Sequence, residues 1–154
     1  MGRVEVWEIE SMDASSEPSE RPSQKLEPGE IRARLLALLM PRDEIDWAYV
    51  FGSFLDGSGY HDIDVGVYLR PPLPREQVFD YEMELSVRLT MALHTTVDMH
   101  VLNDAPMGFQ HAVLQGEPLI VRDQDRLADF IEYTSWEVME FAHHAEDYLR
   151  EVLS

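Results

Sequence analysis

Apolar residues recur along the chain with two periods, and the alternation between them predicts helices and strands in a fixed order. From Pro28 to about residue 40, Ile31, Leu35, Leu36, Leu38 and Leu39 fall at helical spacing, and Pro41 marks the stop. Trp47 to Phe51 is a short apolar run closed by Gly52, which suits a buried strand. Ile63 to Leu69 reads as a second strand, ended by Arg70-Pro71-Pro72. The helical period returns between about Pro74 and Leu93, with Val78, Tyr81, Leu85, Leu89 and Ala92 on one face. Thr95 to Leu102 then alternates, Thr96, Asp98 and His100 on one side and Val97, Met99 and Val101 on the other, which indicates a third strand. A short helix near Met107 to Leu114, a turn at Gly116 and a brief strand over Pro118 to Val121 lead into a last helix, about 125 to 152. In that helix Leu127, Phe130, Thr134, Val138, Phe141, Ala145, Tyr148 and Val152 form a stripe expected to pack on the domain's own sheet. The predicted fold class is α+β, a small mixed β-sheet with helices packed on one face and carboxylates on the other.

Neither period holds before Pro28. Residues 11 to 30 are rich in Ser, Glu and Pro, so ordering them would cost entropy with little burial to offset it. Residues 1–27 are therefore expected to be a disordered or poorly ordered extension, and 28–154 the folded domain. Val4, Val6, Trp7 and Ile9 offer a short sticky segment, but an unstructured extension is the favoured reading.

The length of 154 residues fits a single core. Charge changes the picture more. With 30 Asp and Glu against 12 Lys and Arg the formal net charge is -18, which repels phosphate backbones and argues against non-specific nucleic-acid binding. An acidic protein that handles nucleotides needs metal ions to neutralise its own carboxylates and the substrate phosphates. Cysteine is absent, which excludes disulfides, thiolate zinc sites and cysteine nucleophiles. The start Met1-Gly2-Arg3-Val4-Glu5 is unlike a signal peptide, and no later run is long enough to span a bilayer, so a cytoplasmic location is expected.

Three fragments carry candidate chemistry. In the first, a strand runs into Gly52-Ser53 and a predicted helix start, where backbone N–H groups and the Ser53 hydroxyl can face an anion. The second is Asp62-Ile63-Asp64, whose two carboxylates share one strand face and repel unless a cation sits between them. The third is Asp98, inside the otherwise apolar strand Thr96-Val97-Asp98-Met99-His100-Val101, where an unpaired buried carboxylate would be costly. Each fragment alone has an ordinary structural reading as a turn, a solvated strand edge or a satisfied polar residue. If the two strands lie side by side, the three carboxylates converge, an arrangement suited to two magnesium ions.

In this order the fragments resemble the minimal nucleotidyltransferases of the DNA polymerase beta superfamily. The motif is Gly52-Ser53, a loop of eight residues, Asp62-Ile63-Asp64 on a strand, and Asp98 on a later strand. Within that superfamily the chain looks most like the MntA-type antitoxins paired with HEPN-domain toxins. The likeness runs from Trp47 to the C-terminus and takes in Asp98 to Asn103, the turn from Leu114 to Leu119 and the long final helix. The resemblance implies that Gly52 and Ser53 hold the triphosphate, that Asp62 and Asp64 bind Mg2+, and that Asp98 completes the metal site and helps deprotonate the acceptor hydroxyl. It implies transfer of AMP from ATP, a nucleoside triphosphate, to a tyrosine of a HEPN ribonuclease toxin, with no direct nucleic-acid or membrane partner. Two alternatives stay open: a catalytically degenerate antitoxin acting by stoichiometric binding, and a nucleotidyltransferase for a small molecule such as an aminoglycoside.

Other residues have plainer readings. His143 and His144 are adjacent on a helix and point about 100 degrees apart, a poor chelate, so surface or interface histidines are favoured. His100 shares a strand face with Asp98, yet a satisfied structural histidine explains it equally well. Tyr133 and Trp136 are candidates for partner binding.

Overall fold

The computed structural model describes residues 26–56 and 62–153. The expected N-terminal extension, residues 1–27, lies almost wholly outside them. The described chain forms α1 (Pro28–Leu39), β1 (Ile45–Phe51), a 3-10 turn (Gly52–Asp56), β2 (Asp62–Leu69), α2 (Arg75–Leu93), β3 (Thr96–Val101), α3 (Met107–Val113), β4 (Glu117–Val121) and α4 (Gln124–Leu153). Each predicted element is present, with ends shifted by a residue or two.

The four strands pair in the order β3-β2-β1-β4. β1 runs antiparallel to both β2 and β4, while β2 and β3 are parallel and joined through α2. The sheet is therefore mixed, as the sequence predicted. Its back face carries Ile63, Val65, Val67 and Leu69 of β2 and Val97, Met99 and Val101 of β3, in one core with Ile31, Leu35 and Leu39 of α1 and Leu85, Leu89 and Leu93 of α2. The four-residue spacing of the helical members aligns them on one stripe of each helix. Among the described residues no helix is long and apolar enough to cross a membrane.

The front face is shared. α1 and α2 pack behind the carboxylates as expected, and α3 and α4 cover the remainder of the carboxylate face. Trp47, Tyr49, Leu102, Val113 and Leu127 form a second core there. The Trp47 ring stacks on Tyr68 at 5.2 Å and lies 5.1 Å from Phe130 of α4. Gly66 lets α3 approach closely, since a Cβ at that position would stand 2.9 Å from a Val113 methyl carbon. Asp46, 5 % exposed, accepts a fork of two bonds from Arg126, at 2.7 and 2.9 Å, which ties the start of α4 to β1.

Edge strands need partners for their outward N–H groups. On β3 these come from one stripe of α2: Glu82, Ser86 and Thr90 accept from the backbone N–H of Val101, Met99 and Val97 at 2.8, 2.9 and 2.9 Å. The helix period of four residues runs against the strand period of two, so each helical turn meets the next free donor. Ser86→Ala leaves the Met99 N–H unpaired at a half-buried position. The expected cost is about 1–2 kcal/mol, read as a lower denaturation midpoint and faster hydrogen exchange at the Met99 amide, with the Leu85 amide unchanged relative to global stability.

Candidate active site

Strand register decides whether the predicted residues meet. Phe51 of β1 stands opposite Asp64 of β2, and Asp64 opposite Asp98 of β3, so the three form one row across the front face. Asp62 precedes by two residues on the same face and pairs with Thr96. The next row holds Tyr49, Gly66 and His100. The two Asp residues of Asp62-Ile63-Asp64 and the isolated Asp98 are thus brought together at the open end of the sheet, clear of the aromatic packing under α4. Asp62 is exposed, and Asp64 and Asp98 are half-buried.

Burial of Asp64 raises its carboxyl above the usual carboxylate range. His100 works against the rise, its Nε2 lying 3.5 Å from Asp64 Oδ1, while the charges of Asp98 and Asp62 add to it. The cluster is thus held at an electrostatic cost that a bound cation would relieve.

The glycine turn closes the site from β1. Gly52 has a φ of 84°, in the left-handed region that glycine reaches without strain. A Cβ there would stand 2.8 Å from Asp64 Oδ2. The backbone and the carboxylate therefore pack together in a space that only glycine leaves open. Gly52 and Ser53 are exposed beside the cluster, whereas Phe54 turns back into the core beneath the Arg32 guanidinium, 5.2 Å from its ring. The predicted helix start is a short 3-10 turn, and the rest of the loop, residues 57–61, lies outside the described residues.

An aromatic wall completes the geometry. Rings of Phe51 of β1, His100 of β3 and Phe109 of α3 stand 5.4 to 5.7 Å apart. His100 is therefore both a wall residue and a neighbour of Asp64. The sequence placed it on the correct face but not against that carboxylate. Phe51 and Phe109 were missed as site residues. For Gly66, a glycine inside a strand and two residues beyond Asp64 was a signal of close backbone approach. His143 and His144 are exposed on α4, where they pair with Asp147 and Glu140.

All three acidic side chains offer oxygen, the donor that magnesium prefers. Among the described residues no three acidic, histidine or cysteine side chains form a group that could by itself hold a metal ion. Magnesium does not need one, since it usually keeps water and is held by one or two carboxylates together with substrate phosphates. The residues present fit such an ion.

Comparison with known proteins places the chain in a family. The sequence model for polymerase beta nucleotidyltransferases matches residues 34–125, well over half of the chain. The comparison with curated proteins returned no match. Among solved structures the chain is similar to one in a tri-AMPylated Shewanella oneidensis HEPN toxin complex with MNT antitoxin. The TM-score is 0.64 at 21 % identity, with 83 % of this chain and 100 % of that one covered. It is similar to a chain of the MntA-HepT toxin-antitoxin, with TM-score 0.62, 20 % identity, and 82 % and 99 % covered. A third match is a toxin-antitoxin structure with AMP-PNP, at TM-score 0.63, 22 % identity, and 80 % and 98 % covered. These likenesses establish a shared fold. With the family match across α1 to β4 and the Asp64–Asp98 row it contains, the chain belongs to the polymerase beta nucleotidyltransferase family.

Proposed function

We propose that the chain is a cytoplasmic, Mg2+-dependent adenylyltransferase that moves AMP from ATP onto a tyrosine hydroxyl of a HEPN ribonuclease toxin and so neutralises it. The observation that carries the reading is Asp64 opposite Asp98 on adjacent parallel strands, with the Gly52 turn packed against Asp64. The toxin as acceptor is supported by the solved complexes of similar fold, one of which holds a tri-AMPylated toxin. The acidic surface agrees with a protein acceptor rather than nucleic acid.

Each residue then has a role. Gly52 and Ser53 receive the triphosphate through backbone N–H groups and the Ser53 hydroxyl. Asp62 and Asp64 hold the divalent ion, and Asp98 completes that site and orients the acceptor hydroxyl. As the acceptor oxygen attacks the α-phosphorus, its proton passes to Asp98, the bond to the bridging oxygen breaks, and pyrophosphate leaves. Bound magnesium supplies neutralisation of phosphate charge and support for the attacking and leaving oxygens.

The test uses purified chain, a purified HEPN-type toxin as candidate acceptor, and ATP labelled at the α-phosphate. The expected result is label on a toxin tyrosine, dependent on Mg2+ and abolished by EDTA. Neutralisation without label transfer would instead establish stoichiometric binding, and label on an aminoglycoside but not on the protein would establish the small-molecule reading.

A further inference from the structure

The final helix does two different things along its length. Its first half is anchored: Leu127 and Thr134 are buried, and Phe130 packs on Trp47. From Trp136 onward, among the described residues, the apolar stripe predicted to lie on the domain's own sheet is not covered by it. Trp136 is 61 % exposed and Phe141 75 %, and Met139, Tyr148, Leu149 and Val152 are exposed as well. A groove of about 760 Å³ runs between this stretch and the start of α3, with Met107 and Gly108 on one side and Trp136, Val138 and Phe141 on the other. Uncovered helix of this length is only marginally stable in water, and so large an apolar patch on a monomer marks an interaction site.

Charge selects the occupant. Between Trp136 and Leu153 the chain carries five carboxylates and one guanidinium, Arg150, which is itself paired with Asp147 at 3.2 Å. Glu137 and Glu140 flank the groove. A second copy of the chain would bring another net charge of -18 against this rim. Residues 1–25 hold six acids against three bases, so they too are repelled. A basic partner is attracted.

Position selects its role. α3 lies between the groove and the carboxylates, Phe109 touching the His100 ring on one side while Met107 and Gly108 line the groove on the other. A protein seated along α4 is thus held on the carboxylate face of the sheet. We propose that the second half of α4, from Trp136 to Leu153, is the docking surface for the acceptor protein, which receives the helix in an apolar groove rimmed by Lys and Arg. The identity of that acceptor rests on the adenylyl-transfer reading. Binding of this kind uses a helix already formed, with anchors at successive turns.

The test is titration of full-length chain with a purified HEPN-type toxin, without ATP. Trp136→Glu and Phe141→Glu are expected to weaken binding at least about thirtyfold, the size of an interface hot spot. Both positions are exposed, so the unfolding temperature should not move. Glu137→Lys with Glu140→Lys should weaken binding and flatten its dependence on salt. Wild-type binding that these variants leave unchanged would overturn the docking surface while the adenylyl-transfer reading stands. A self-associated chain that Phe141→Glu makes monomeric would overturn it in favour of a second copy, and hydrogen-exchange protection of residues 136–153 lost on deleting residues 1–25 would overturn it in favour of that segment. No binding by the wild type would overturn surface and reading together.

Discussion

Asp64→Asn is expected to make the metal-free protein more stable and the enzyme inactive. Burial holds the Asp64 carboxyl above its ordinary range, with the charges of Asp98 and Asp62 adding to the effect and His100 only partly offsetting it. A carboxyl whose folded-state pKa lies above its unfolded value contributes stability that is fully present below the unfolded pKa. That contribution is lost as pH rises through the folded value. At neutral pH the wild type therefore carries an electrostatic penalty that asparagine removes, while an amide oxygen still faces His100. Thermal unfolding in EDTA should show the variant slightly more stable at pH 7, with the difference closing towards pH 4. Adding Mg2+ and ATP should raise the wild-type unfolding temperature and leave the variant unmoved. Transfer of AMP should fall on the order of a thousandfold or more, the loss of about 4 kcal/mol of charge stabilisation. A variant less stable than wild type at pH 7 in EDTA would show that Asp64 is a structural anchor, and the proposed division of roles would fail.

The same residue shows how far the sequence could be read. Alternation within Asp62-Ile63-Asp64 and within Thr96 to Val101 assigned each carboxylate to a face, because the side-chain period of a strand is two. That two strands put those faces side by side was a hypothesis until register set Asp64 against Asp98. Parity could not supply Phe51 as the third member of the row, since the β1–β2 register depends on the loop between them. The edge cap of Glu82, Ser86 and Thr90 was hidden for a related reason: polar residues four apart on a helix look like a solvated face until a strand edge is placed beneath them. The α4 stripe failed in the opposite direction. Period shows which face of a helix is apolar but not what covers it, and from Trp136 onward most of the stripe stands exposed among the described residues.

Gly52→Ala is expected to separate catalysis from stability in the opposite sense, with a modest cost to folding and a large one to transfer. The left-handed φ of 84° is open to alanine at a strain of roughly 1–2 kcal/mol. The added methyl would stand 2.8 Å from Asp64 Oδ2, which is inside contact distance. What must yield is the end of the Asp64 side chain, since a carboxylate can rotate away at little energetic expense. Folding is therefore preserved, but the oxygen proposed to hold the divalent ion leaves the row that it shares with Asp98. Alanine keeps the backbone N–H at position 52, so the proposed anion cradle loses nothing directly. A drop in transfer of roughly a hundredfold or more, from a displacement near 1 Å, should thus appear together with weaker Mg2+ dependence. Ser53→Ala, which removes only an exposed hydroxyl, should cost about tenfold, one hydrogen bond's worth. Steady-state kinetics over a range of Mg2+ concentrations distinguishes the two variants. If Gly52→Ala transferred AMP like the wild type at saturating Mg2+, with an unfolding temperature lowered by the strain alone, the close packing of the turn on Asp64 would be a feature of the fold and not of the site.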